Sequence, residues 1–218
     1  MCFSATASFG AGIVLSGIGV VSVKKVQQRN QLMFASIPLL FAAQQITEGF
    51  VWLSFSHPGF ACIQNLGAHV FILFAQVIWP SWVPLSILQL ENNEKRKRVL
   101  KILSGIGILV SVFLAFCLFN YHVEPRAISH HILYHQEYPH QFFKFCGLLY
   151  LLSTLLPLVV SGVKYMWSLG LVVIISCVFA AILYRAYFLS VWCFFAALIS
   201  ITIIVVMNRM TKARIGTW

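Results

Sequence analysis

Apolar residues run along this chain in stretches of about twenty, each closed by a short polar or basic interval. Taking those intervals as turns divides the sequence into seven apolar segments, at 5–23, 32–55, 66–89, 102–120, 142–163, 166–184 and 187–207. A helix needs about 20 apolar residues to cross the ~30 Å hydrocarbon layer of a bilayer, so each segment predicts one transmembrane helix. Only Tyr184-Arg185-Ala186-Tyr187 separates the last two. One helix through both would be about 60 Å long at ~1.5 Å per residue, twice the layer, so two are expected. The predicted fold is an all-α polytopic bundle, one domain over residues 1–218. The opening residues offer neither a basic n-region nor a small-residue cleavage site, which makes 5–23 a retained span rather than a signal peptide.

Small residues and prolines punctuate the segments. Ser4, Ser8, Gly12 and Ser16 recur at four-residue spacing, and Gly107, Ser111 and Ala115 repeat the device. Such stripes let a neighbouring helix come close. Pro38, Pro80, Pro84 and Pro157 fall inside segments, where each removes a backbone donor and frees a carbonyl that needs a partner within the bundle. A distortion is expected in the third span around WPSWVP, Trp79 to Pro84.

Composition fixes the solvent: 60% of residues are hydrophobic and 9% charged, against roughly 25% charged in a soluble domain. The net charge of +10 is unevenly placed. Lys24, Lys25, Arg29, Lys95, Arg96, Lys97, Arg98, Lys101, Lys164, Arg209, Lys212 and Arg214 fall on one side of the seven-span plan, and only Arg126, Lys144 and Arg185 on the other. The positive-inside bias then puts the N-terminus outside and the C-terminus in the cytoplasm. The basic charge needs no nucleic acid to explain it, no nucleic-acid motif is present, and the expected partner is the lipid bilayer.

Candidate chemistry gathers on the opposite, outer half. All seven histidines lie there: His57, His69, His122, His130, His131, His135 and His140. So do Glu48, Glu124 and Glu137, whereas Glu91 and Glu94 belong to the cytoplasmic cluster. Cys2, Cys62, Cys117, Cys146 and Cys193 share the outer half, with Cys177 mid-span; an oxidising compartment would permit a disulfide from Cys62.

Glu48 stands out because it sits inside an apolar run, LLFAAQQITEGFVWLSF. On a helix Gln44, Glu48 and Trp52 are successive fourth residues with Gln45 adjoining, which makes one polar stripe that must face inward. An ionised residue at mid-helix costs about 2.5–3.5 kcal/mol on the insertion scale, so it is paired, neutral or lining water. Counted along the spans, His69 reaches the same level, with Gln76 two turns further along the third span.

The opening MCFSATASF, a glycine-rich first span and the IPLLFAAQQITEGFVW segment resemble an uncharacterised family of bacterial multi-pass membrane proteins that begin with nearly these residues. The resemblance covers residues 1–19 and 37–52. It implies an integral location, the inner membrane of a bacterium, and a grouping of Cys2, Ser4, Gln45 and Glu48; it brings no activity, enzymatic or other.

Cys thiolate, His nitrogen and Glu oxygen form a zinc ligand set, and Cys with His also suits copper. Cys2, Glu48 and His69 therefore make a candidate metal site with one open position, Glu48 and His69 doubling as acid or base, and Ser4, Gln44, Gln45 and Gln76 as polar support. Competing readings are a hydrogen-bonded polar plug around a protonated Glu48 and a pair between Glu48 and Arg185. In the outer loop, SHHILYHQEYPHQ, His131 and His135 have the i, i+4 spacing of two imidazoles on one helical face, with His140 or Glu137 to complete a site. A solvated or interfacial loop with Tyr134 and Tyr138 at headgroup level is the alternative. The function classes left are an intramembrane metal-site protein, a small-solute or ion transporter with Glu48 titrating, and a seven-helix ligand sensor; neither a ligand nor an oligomeric state is named by any motif. The seventh span has no central lysine, which excludes a retinal Schiff base.

Overall fold

The fold comes from a computed structural model that describes residues 4–128, 131–183 and 195–215, with backbone alone at Pro58, 140–144 and 211–215. Its first helix, α1 (Ala5–Lys24), starts where the Ser4 hydroxyl accepts a hydrogen bond from the Ala7 amide at 3.2 Å. The small-residue stripe of α1 is buried at Ser8, Gly12, Gly19 and Ser22. A Cβ added at Gly12 would press into Ile46 and one at Gly19 into Leu39, while Gly49 receives the Phe9 ring. The expected close approach is the interface between the first and second long helices.

The segment expected as one span over 32–55 is broken. A short α2 (Leu32–Ala35) ends at a turn on Ser36, and α3 (Ile37–Ser56) begins beyond it. Pro38 explains the break: it occupies the first turn of α3, where a missing N–H costs nothing.

The third span is α4 (Gln64–Ile72), a π-helical stretch over Leu73–Ile78, and α5 (Trp79–Leu90). The expected distortion thus appears as a widened turn just ahead of Pro80 rather than at Trp79–Pro84 itself. Proline cannot donate, so carbonyls one turn earlier need outside partners. Tyr150 donates its hydroxyl to the Ala75 carbonyl at 2.7 Å and Ser111 to the Val77 carbonyl at 2.6 Å. The Pro80 carbonyl, freed by Pro84, faces Gly107, where any added Cβ would overlap it.

Next comes α6 (Glu94–Asn120), which starts at Glu94 rather than at 102 because the Asn93 side chain caps it, accepting from the amides of Lys95 and Arg96 at 3.0 and 3.3 Å. Lys, Arg and Glu are good helix formers, so the helix runs on into the basic segment. After it α7 (His140–Val160) and α8 (Met166–Leu183) match expectation closely. The last helix, α9 (Ala196–Ile215), is displaced toward the C-terminus relative to the expected 187–207. The turn expected at 184–187 lies outside the described residues.

The outer loop is a correction. It forms an antiparallel hairpin, β1 (Val123–Ile128) and β2 (His131–Gln136), in register from Val123 opposite Gln136 to Ile128 opposite His131. Val123, Pro125, Ile132 and Tyr134 point into the bundle. Tyr134 stacks on Phe71 at 4.6 Å between ring centroids, and Tyr138 is buried as well. Neither tyrosine stands at a headgroup surface.

Among the described residues, four helices are long and apolar enough to cross a membrane by length and composition: Ala5–Lys24, Gly59–Leu90, Glu94–Asn120 and Met166–Leu183. Phe145–Val160 and Ala196–Met210 are apolar but shorter, and α3 is diluted by Gln44, Gln45, Thr47 and Glu48. Large apolar side chains such as Ile13, Leu109, Phe119 and Ile182 face outward, as lipid-facing side chains do. The loops that carry the basic residues meet at one end of the bundle, where Asn30 donates to the Gln89 carbonyl at 3.2 Å and Arg209 covers the Tyr165 ring at 5.1 Å.

Candidate functional site

At the end opposite the basic loops, one face of α3 carries Gln44, Gln45 and Glu48 into the bundle, all essentially without solvent exposure. The four-residue spacing read from the sequence is what aligns Gln44 and Glu48. Gln45 donates to a Glu48 carboxylate oxygen at 3.4 Å, and the Trp79 indole N–H donates to the Gln44 carbonyl oxygen at 3.1 Å. Two helices are thereby joined through a polar contact at the first residue of α5.

A second polar contact lies under the hairpin. Gln76, 6% exposed, donates its amide to the Gln136 side-chain oxygen at 2.9 Å. The Gln76 oxygen and the Gln136 nitrogen that remain have no partner among the described residues. Whichever way each amide is turned, one bond between them leaves one acceptor or donor over on each. The Trp52 indole N–H, on the next turn of the α3 stripe beyond Glu48, is also buried without an acceptor. An unmade hydrogen bond on a buried group costs about 1–3 kcal/mol, so three such atoms at the end away from the basic loops are a cost that a polar partner would relieve.

The other candidates are dispersed. His69 is partly exposed, and its Nδ1 lies 2.7 Å from the Asn65 carbonyl one turn back on its own helix, which places the proton on Nδ1. Ser4 uses its hydroxyl to cap α1. Cys2 lies outside the described residues, and among the described residues no three of His, Cys, Asp and Glu are grouped as a metal ion needs. Arg185 and His130 also lie outside them. His131 and His135 occupy a strand rather than a helix, so four residues separate them by about 13 Å at ~3.3 Å per residue, and the shared helical face is not formed. His135 is opposite Glu124, whose carboxylate is held by Arg126 at 2.7 Å and kept below its ordinary pKa by that hydrogen bond. The backbone of His140 opens α7. Cys62, Cys117, Cys146 and Cys177 are free thiols, so the disulfide open to Cys62 is not formed among the described residues.

Three contributors were not legible as site residues: Trp79, Tyr150 and Gln136. Gln136 had a signal, since Ile132, Tyr134 and Gln136 alternate with His131, Leu133 and His135 in the period of a strand with one buried face.

A further buried carboxylate sits at the basic end. Glu91, just past α5, accepts from the amides of Asn92, Asn93 and Gly162 at 3.1, 3.0 and 2.6 Å and from the Ser161 hydroxyl at 3.3 Å. Burial raises its pKa, and these four donors together outweigh it, holding the carboxyl below its ordinary value. It ties the loop after α5 to the loop after α7, a structural role.

Between the polar layer and the basic end lies an apolar cavity of about 70 Å³. Phe41, Trp79, Ile87, Leu158, Val173 and Ile203 are among its walls, with Ala75 and Tyr150 toward the polar layer. Trp79 belongs to both compartments.

A family model described as a family of unknown function, DUF6629, matches residues 1–217. No curated protein and no solved structure matches the chain.

Proposed function

The chain belongs to the DUF6629 family, whose function is unknown, and from its own geometry we propose a multi-pass integral membrane protein that binds a small molecule in a polar layer around Glu48. In this reading seven helices span the bilayer, the N-terminus is outside, the basic end is cytoplasmic and the hairpin covers the layer from outside. The observation that carries the reading is a carboxylate with no solvent exposure, bonded to Gln45 and one turn from the buried Gln44, in a bundle whose outside is apolar. Intramembrane ionisable residues are costly and are kept where they act. Three buried polar atoms without partners among the described residues, on Trp52, Gln76 and Gln136, supply donors and an acceptor for a ligand. A continuous path for an ion or solute would need polar groups below the layer, and the cavity there is apolar.

Unfolding in detergent tests the layer directly. Glu48→Gln keeps a hydrogen-bonding group of similar shape and should be nearly silent, whereas Glu48→Leu strands its neighbours and should cost about 1–3 kcal/mol. A silent Glu48→Leu would end the reading. Elemental analysis of the same preparations separates it from a metal centre: zinc or copper present in the wild type and lost in Glu48→Gln would return the site to Cys2, Glu48 and His69.

A further inference from the structure

We propose that the basic end of the bundle carries a discrete site for the phosphate of an anionic phospholipid headgroup, formed by Lys164 and Arg209 on the ring of Tyr165 with Arg96 beside them. The proposal needs the bundle to lie in a bilayer and needs nothing of the Glu48 layer. Three elements bring the cations together. Lys164 lies in the loop between α7 and α8, with its Nζ 5.7 Å from the centroid of the Tyr165 ring, and Arg209 comes from α9, with its guanidinium carbon at 5.1 Å. The Arg96 guanidinium, from the first turn of α6, fills the space that a Cβ at Gly162 would take. All three residues are exposed. Tyr165 is the one non-glycine residue with a positive φ among the described residues, at 67°. That conformation suits glycine and disfavours a bulky side chain, and such backbone clusters at sites where a side chain is held for use. Here the ring holds two like charges through its electron-rich face.

Those charges are not balanced among the described residues. The chain has five acidic side chains. Glu94 pairs with Lys97 and Glu124 with Arg126, and Glu48 and Glu137 belong to the other end. Glu91 shares the neighbourhood of Gly162 with Arg96, but it is buried and already accepts four hydrogen bonds. Lys164 and Arg209 have no carboxylate partner among the described residues, and they repel each other until an anion joins them. The surroundings make that anion a lipid's. Trp167, two residues past Tyr165, is exposed, and tryptophan in a membrane protein favours the headgroup level. On α9, Ile201, Val205 and Arg209 are successive fourth residues and all are exposed, so an apolar stripe runs along one face of the helix to the cation. A phospholipid offers a phosphate to the cations and a chain to the stripe; a soluble phosphate offers only the first.

The test uses the full chain in detergent micelles, with native mass spectrometry counting bound lipids as phosphatidylglycerol or phosphatidylcholine of the same chains is added. The first phosphatidylglycerol should bind more tightly than phosphatidylcholine. Lys164→Gln with Arg209→Gln should weaken it by about 25-fold, about fivefold for each charge removed. Lys95→Gln with Arg98→Gln takes as much charge from the same end and should leave that affinity unchanged. On the wild-type protein, which keeps the test independent of any variant's folding, millimolar inorganic phosphate should not displace the lipid. Equal affinity for the two lipids, an equal loss from the Lys95 and Arg98 pair, or displacement by inorganic phosphate would each overturn the proposal.

Discussion

Gly105 and Gly107 sit two residues apart on α6, and replacing each with alanine should change stability in opposite directions. At Gly105 an added Cβ meets nothing within 4 Å. Replacing a helix-interior glycine there removes backbone freedom from the unfolded chain and should stabilise by about 0.5–1 kcal/mol. At Gly107 the same methyl would overlap the Pro80 carbonyl, which is backbone and cannot swing aside. The two helices would have to separate, an overpacking cost of about 1–3 kcal/mol. Separation also lengthens the 2.6 Å bond from Ser111 to the Val77 carbonyl, worth about 1 kcal/mol. The sum is a loss of about 2–4 kcal/mol. Reversible unfolding in mixed micelles would measure both variants, and Ser111→Ala added to each would report coupling. In the Gly107→Ala background Ser111→Ala should cost little, since its bond is already broken; beside Gly105→Ala it should cost its full amount. The same sign for both glycine variants, or full additivity at Gly107, would refute the packing argument.

Glu91→Gln should destabilise by about 2–3 kcal/mol at neutral pH, because it removes a charged acceptor from several donors. Since the folded pKa of Glu91 is lowered, its contribution is complete above the ordinary carboxylate range and is lost as pH falls through the folded value, so scanning calorimetry should find the gap to wild type closing below about pH 4. Trp79→Phe keeps the ring and drops the N–H to Gln44, and should cost about 1 kcal/mol in the same unfolding assay; no change would mean that the 3.1 Å contact is incidental. A reporter between Ile128 and His131 should be extracellular and one after Trp218 cytoplasmic, and finding both on one side would break the seven-span reading.

The parts of the fold legible in the sequence follow from local pattern. Length and hydropathy located the helices through α8, apart from the break between α2 and α3, and the four-residue spacing of Ser4, Ser8, Gly12 and Ser16 pointed to the first interface. What escaped depends on residues far apart in the chain. A π turn inserts one residue, which rotates everything beyond it by about 100°. His69 and Gln76 share a face on an ideal helix, yet Gln76 lies within the π-helical stretch at 73–78, and one is partly exposed while the other reaches Gln136. The strand carrying Gln136 was read as loop because two short strands have no tertiary signal of their own; they are stable here because Val123, Ile132 and Tyr134 bury against Phe71 and its neighbours. The stripe at Gln44 and Glu48 was read correctly as inward, whereas its partner Trp79, 35 residues away, leaves no local trace.

The hairpin also imposes an order on biogenesis. Gln76 is synthesised with the α4–α5 segment, and its partner Gln136 follows 60 residues later. At ~5–20 residues per second of synthesis, the amide waits roughly 3–12 s for that hydrogen bond. Tyr150, which takes the Ala75 carbonyl, comes 75 residues behind it. The end of the bundle under the hairpin is therefore an unfinished surface through the middle of translation, and it closes only when the hairpin and then α7 have been made.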